Sequence, residues 1–167
     1  GRLLGRDVLL VETGLGNGVL ARDFKVDNTP GLADYLSGQA DLEQIIRRTH
    51  MGNTWLLPAG TSSQNPGPLL RSGRLTELFP ALRGLFAAVI LDVPPLLKSP
   101  HGPMLARFAD GLIVTCHAGS THSEDVQRAI EAAGSVEVRG IILNRTRRWV
   151  PRWVSKIAGI SRSSLSE

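Results

Sequence analysis

The apolar residues of this chain fall in short continuous runs rather than in strict alternation. VLLVE at 8–12, AAVILD at 87–92, GLIVTC at 111–116 and GIILN at 140–144 each hold a continuous run of three to five apolar residues. Runs of that length suit strands buried on both faces, the habit of parallel sheets. A shorter run, TWLLP at 54–58, predicts a fifth strand. Between them the spacing predicts helices. At 122–133, Val126, Ile130 and Ala133 share one stripe, and Thr121 with Glu124 has capping-box spacing. Further helices are expected over 41–48 and over 75–84, the second interrupted by Pro80, whereas AGTSSQNPGPLL at 59–70 reads as a loop of turn residues. Strands alternating with helices predict an α/β fold, a mainly parallel sheet flanked by helices. Ligands of such sheets gather outside the carboxyl ends of the strands. Here those ends are Glu12, Asp92, Cys116 and Asn144. Residues 1–6 resemble only the end of a helix, so the chain is expected to lack an element before its first strand, through shortening or through loss.

Composition narrows the class. The 167 residues, 42% apolar and 20% charged, describe one globular domain and exclude a disordered chain, a coiled coil or a collagen-like repeat. No run of about 18 uncharged apolar residues occurs, so no bilayer-spanning helix is expected. The opening GRLLGRDVLLVE is too short and too charged for a signal peptide. A single cysteine, Cys116, rules out an intrachain disulfide or a multi-cysteine zinc site, which makes a reducing cytosol the default. The net charge of +4 is uneven: residues 139–167 hold seven bases and one acid, residues 1–138 twelve bases and fourteen acids. A basic tail of that kind points to an anionic surface, phospholipid or nucleic acid.

Three strand ends carry candidate chemistry. In VILDVPP, a buried strand delivers Asp92 to the sheet edge, and Pro94 and Pro95 keep a helix from starting at once. A carboxylate there can hold a magnesium-bound water beside nucleotide phosphates; an aspartate that caps a turn is the alternative. In VLLVETGLGNG, Glu12 ends a strand and Gly14, Gly16 and Gly18 follow. The spacing is not the dinucleotide pattern, and about twenty residues on Asp34 lies in the turn- and helix-like PGLADYLSG, so a flexible loop is the favoured reading. In GIILNRTRR, the amide of Asn144 offers a donor and an acceptor to a purine edge, or else closes a turn. Cys116 and His117 would face opposite ways on a strand. His50, His101 and His122 sit in unrelated segments, and no G-x-S-x-G elbow occurs. A histidine metal site or a Cys/His nucleophile is therefore not expected. In the tail, Trp149, Val150, Trp153, Val154 and Ile157 would share one side of a short helix, with Arg148, Arg152 and Lys156 on the other. That suits a lipid headgroup boundary, though packing on the chain's own sheet is the slightly favoured alternative.

In order and spacing, VLLVETGLGNG, PGLADYLSGQADLEQIIR, LLPAGTSSQNPGPLL, VILDVPPLL, LARFADGLIVTCHAGST and GIILNRT resemble the bacterial tyrosine kinases of capsule and exopolysaccharide assembly (CpsD/CapB type). These are MinD/ParA-related P-loop ATPases, and the likeness runs over residues 3–146. The resemblance implies ATP and magnesium as cofactors and a P-loop lysine with a serine or threonine. It also implies a D-x-D motif, a Walker B aspartate and a tyrosine-rich tail phosphorylated within a homo-oligomeric ring. A membrane co-polymerase of the Wzz sort and the inner face of the plasma membrane are its implied setting. Asp92 matches the Walker B position, Glu12 the first acid of D-x-D, and Asn144 with Arg145 the adenine-contacting positions. The departures are large. No G-x-x-x-x-G-K-[ST] occurs; the lysines are Lys25, Lys98 and Lys156, Gly14 and Gly16 stand where an acid and an arginine are usual, and His101 where an aspartate is. The sole tyrosine is Tyr35. Removing one electrostatic stabiliser costs about 10²–10³ in rate, and several are gone. Residues 1–147 are thus expected to form a kinase-like domain without its first strand and P-loop, catalytically impaired and acting as a binding module. Residues 148–167 are expected to form a basic amphipathic tail. The alternatives are an active autokinase whose P-loop lies upstream, a MinD-like membrane-positioning ATPase and, third, a ParA-like nucleic-acid binder.

Overall fold

The computed structural model describes residues 7–15, 18–61 and 65–145. Its first sheet has the order β2-β3-β1-β4. Strand β1 (Val8–Glu12) lies at the centre between β3 (Thr54–Leu57) and β4 (Ala88–Asp92), parallel to both. The two-residue β2 (Arg47–Arg48) adds an antiparallel edge. Its residues fall inside the segment where a helix over 41–48 is expected. The helix there, α3 (Leu42–Ile45), is only one turn long, and Ile46 leaves it in an extended conformation that carries Arg47 and Arg48 onto β3. Strands β5 (Leu112–His117) and β6 (Val138–Asn144) pair in parallel as a second, two-stranded sheet. The chain therefore has the expected mixed α/β character with a mainly parallel sheet, divided into two parts among the described residues.

The helices lie where the apolar stripes point. Helix α5 (Gly73–Leu85) buries Leu75, Leu78, Phe79 and Leu82 against Leu9, Val11 and Leu57 of the sheet. Four such side chains contribute about 1.5–3 kcal/mol each, enough to carry the helix through Pro80, which removes one N–H and does not end it. Part of the expected loop is helical, as α4 (Gly67–Leu70), with Pro68 in its first turn. Helix α6 (His101–Ala106) links β4 to β5, and α7 (Ser123–Ala132) links β5 to β6. Helix α7 starts after His122, with no side-chain cap, so the Thr121–Glu124 box is not formed. Instead Thr121 Oγ1 accepts the His117 N–H at 3.0 Å.

One expectation needs correcting in its detail. Strands β4, β5 and β6 are not buried on both faces. In β4, Ala88, Ile90 and Asp92 are exposed while Val89 and Leu91 meet the core. In β5, Leu112, Val114 and Cys116 are buried and Ile113, Thr115 and His117 are exposed. A run of apolar residues shows that both faces can be buried, not that both are.

Two short helices complete the frame around β1. Helix α1 (Val19–Phe24) follows the glycine loop, and α2 (Leu32–Leu36) carries the PGLAD segment. In α2, Asp34 is buried, and its Oδ2 accepts the N–H of Gly31 at 2.7 Å and of Thr61 at 3.1 Å. Gly31 and Gly60 meet backbone to backbone at this point, and Gly60 has φ +86°. The PGLAD and LPAG segments, far apart in sequence, thus form one lock beside β3. No helix among the described residues is long and apolar enough to cross a membrane.

Candidate functional site

The carboxyl ends of β1 and β4 bring the two expected acids together. Glu12 and Asp92 are register neighbours on adjacent parallel strands. Glu12 is 3% exposed. Its Oε1 accepts the backbone N–H groups of Val19 at 2.6 Å and Leu20 at 3.1 Å, the orphan donors at the start of α1. Its Oε2 is buried without a partner. Glu12 therefore has a structural duty, fastening the glycine loop's far end, and one oxygen left over. Thr13, which the sequence reading passed over, ties the two strand ends. Its N–H and its Oγ1 both donate to the Asp92 carbonyl, at 3.2 and 2.6 Å. A hydroxyl directly after a strand-end acid was the available signal, too common to single out.

The electrostatics follow from this crowding. Loss of hydration first, and then repulsion from Glu12, hold the Asp92 carboxyl above its ordinary value of 3.8. Proton loss from Asp92 thus costs the folded chain stability as pH rises from 3.8 toward the higher folded value. Glu12→Gln keeps an oxygen for the Val19 and Leu20 N–H groups and removes the charge. We expect it to lower the Asp92 pKa toward 3.8 in an NMR titration. An unchanged value would leave desolvation as the whole cause.

An orphaned buried carboxylate oxygen beside a second carboxylate fits a hydrated divalent cation, since magnesium keeps several waters and takes one or two carboxylates. Among the described residues no group of three or more His, Cys, Asp or Glu converges, so water would complete the shell. These residues can supply the acidic half of a nucleotide site. The lysine and hydroxyl that grip phosphate in a P-loop have no counterpart in the sequence.

Asp92 opens onto a cavity of about 1570 Å³ between β4 and β5, whose mouth also holds Lys98, His117, Ser120 and Thr121. Asn144 and Arg145 do not line it. Asn144 ends β6 beside His117, and its Oδ1 accepts the Arg145 N–H at 2.7 Å, with Arg145 at φ +55°. Arg148, Trp149, Arg152, Trp153 and Lys156 lie outside the described residues.

The split, mainly parallel sheet with paired acids at its carboxyl edge is an α/β architecture, and solved structures place it with the P-loop ATPase folds. MinD from Pyrococcus horikoshii, solved with Mg-ADP, superposes with a TM-score of 0.66 over 92% of this chain and 65% of that one. At 24% identity the likeness speaks for fold alone. The VpsO kinase domain matches at TM-score 0.78 and 28% identity over 84% of this chain and 71% of its own. In sequence, tyrosine-protein kinase CpsD of Streptococcus agalactiae is 33% identical over 150 residues, 87% of this chain and 64% of CpsD. No family model matches. The chain is a relative of the bacterial tyrosine kinases, and it spans just under two thirds of the length of the CpsD proteins it matches.

Proposed function

We propose that this chain is a kinase-like module of capsule or exopolysaccharide assembly that carries the acidic half of an ATP site and is catalytically impaired as it stands. One observation carries the reading. Glu12 and Asp92 sit side by side at the sheet edge, in a sequence with no glycine–lysine loop to oppose them. Phosphoryl transfer is mostly positioning plus charge neutralisation, so carboxylates without the cationic clamp leave little catalysis. In this reading the module docks on a membrane co-polymerase, alone or as a homo-oligomer, peripheral to the inner membrane face. Residues 148–167, with Arg148, Trp149, Arg152, Trp153 and Lys156, form a basic tail that meets anionic lipid. Asp92 would hold magnesium through water, and Asn144 with Arg145, although outside the cavity's lining, would meet the base of any nucleotide bound. In calorimetry with ATP and magnesium we expect a dissociation constant weaker than about 100 µM, about −5.5 kcal/mol. Binding at low micromolar or tighter overturns the reading.

A second reading has one observation in its favour, the opening between β4 and β5. A segment joined ahead of Gly1 and bringing a glycine–lysine loop would make an autokinase of the same domain. Its test is autophosphorylation of the longer polypeptide on a phosphotyrosine blot. A blank blot with ATP bound removes it.

A further inference from the structure

We propose that a bare apolar strip on β6 is a docking surface for this chain's own residues 149–157, which settle on it as a short helix beside α7. The docked segment cannot face a lipid surface at the same time. The inference rests on the reading above only for what the tail meets once it is released. Three observations carry it.

The first is a strip that α7 leaves uncovered. Val114 and Cys116 of β5 are the register partners of Ile141 and Leu143 of β6, so all four stand on one face of the sheet. Val114 and Cys116 are 8% and 5% exposed, packed with Val126 and Ile130 of α7. Ile141 and Leu143, one strand further out, are 55% and 57% exposed. Neither lines the opening between β4 and β5. The strip is a separate surface.

The second is where the chain goes next. Strand β6 ends at Asn144, directly after the strip, and Arg145 at φ +55° breaks the extended path. Residues 146–167 follow and lie outside the described residues. A link over 145–148 reaches at most about 14 Å, enough to climb the roughly 10 Å between packed layers. A helix over 149–157 is about 13.5 Å long. The seven residues of β6 extend about 23 Å, so a helix running back along the strand covers Leu143 and Ile141 and still ends above it.

The third is the match between the two surfaces. Placed on a helix, Trp149, Val150, Trp153, Val154 and Ile157 share one side. Arg148, Arg152 and Lys156 fall on the other. The neighbouring α7 carries Glu124, Asp125 and Glu131 against a single base, Arg128, so the cationic side arrives next to an acidic helix. A segment this short, rich in Trp and Val, does not hold a helix by itself in water. It needs an apolar platform, and the nearest one along the chain is Ile141 with Leu143.

The test is amide hydrogen exchange on the whole chain. Amides of 153–157 should exchange at least about 10-fold more slowly than in the free peptide 146–167. Ile141→Gln with Leu143→Gln should return them to the peptide's rate, whereas Ile142→Gln, on the opposite face of the same strand, should not. All three side chains are exposed, so the melting temperature should stay within a few degrees of the parent's. Protection of about 10-fold leaves about a tenth of the tails free, so the double variant should bind vesicles of phosphatidylglycerol and phosphatidylcholine about 10-fold more tightly than the parent. Glutamine adds no charge that could mimic this gain. Four results overturn the proposal. They are parent amides as fast as the peptide's, protection that survives the double substitution, vesicle binding equally tight in both chains, or protection that grows with concentration beside a sedimenting dimer, which would seat a second copy on the strip. Protected amides with no vesicle binding by either chain would uphold the docking and remove lipid from the reading above.

Discussion

Asp34→Ala should lower stability by about 2–3 kcal/mol, roughly 4–12 °C in melting temperature for a domain of this size. The reason is the lock described above. Its Oδ2 takes the N–H of Gly31 and of Thr61, and truncation leaves a buried donor at Gly31 with nothing in its place. Burial by itself would raise the Asp34 pKa. Hydrogen bonds from the Thr61 side chain and from the Gly31 and Thr61 backbones outweigh it, so the carboxyl sits below its ordinary 3.8. The sign follows. This stabilisation is fully present above 3.8 and is lost as pH falls through that value toward the lower folded one. Asp34→Asn, which keeps an acceptor without the charge, should cost less and flatten the acid limb of the stability curve. Thermal melts across pH 2–7 would check both, and an Asp34→Ala melt equal to the parent's would refute the lock.

Gly31→Ala should be worse, about 3 kcal/mol at the upper end of overpacking penalties, and at the margin of what a domain with 5–15 kcal/mol of stability tolerates. A Cβ at Gly31 would lie 2.5 Å from both the Gly60 nitrogen and the Pro58 oxygen. Both obstacles are backbone on the strand-end loop after β3, and they cannot rotate away. Leu32 N–H donates to Pro58 O and Ala33 N–H to Ala59 O, so separating the two segments would also break those bonds. Gly73→Ala is the matched control, because nothing lies within 4 Å of a Cβ there. Denaturant melts of both variants decide it: equal midpoints would mean that the close approach carries no energetic weight.

Much of this was legible in the chain. The five apolar runs fall on β1, β3, β4, β5 and β6, and Glu12, Asp92 and Asn144 end three of them. The clustered motifs carried the kinase resemblance. The site was half legible. Sequence supplied the two acids, but their pairing is a fact of register between strands 80 residues apart. The second duty of Glu12 depends on where α1 begins, and the PGLAD and LPAG segments read as family markers before the structure made them two halves of one lock. The expected helix over 41–48 failed because local propensity cannot see that Arg47 and Arg48 pair with Leu56 and Trp55.

The sequence alone determined that strands alternate with helices, that carboxylates reach the sheet's carboxyl edge, and that these 167 residues hold no glycine–lysine loop. Those are properties of neighbouring residues, fixed by hydrophobic spacing and side-chain chemistry. Tertiary structure alone decided that the sheet divides between β4 and β5, that Glu12 is half cap and half orphan, and which face lies bare. Burial and pairing belong to residues far apart along the chain, and only their joint packing sets which apolar positions find a partner.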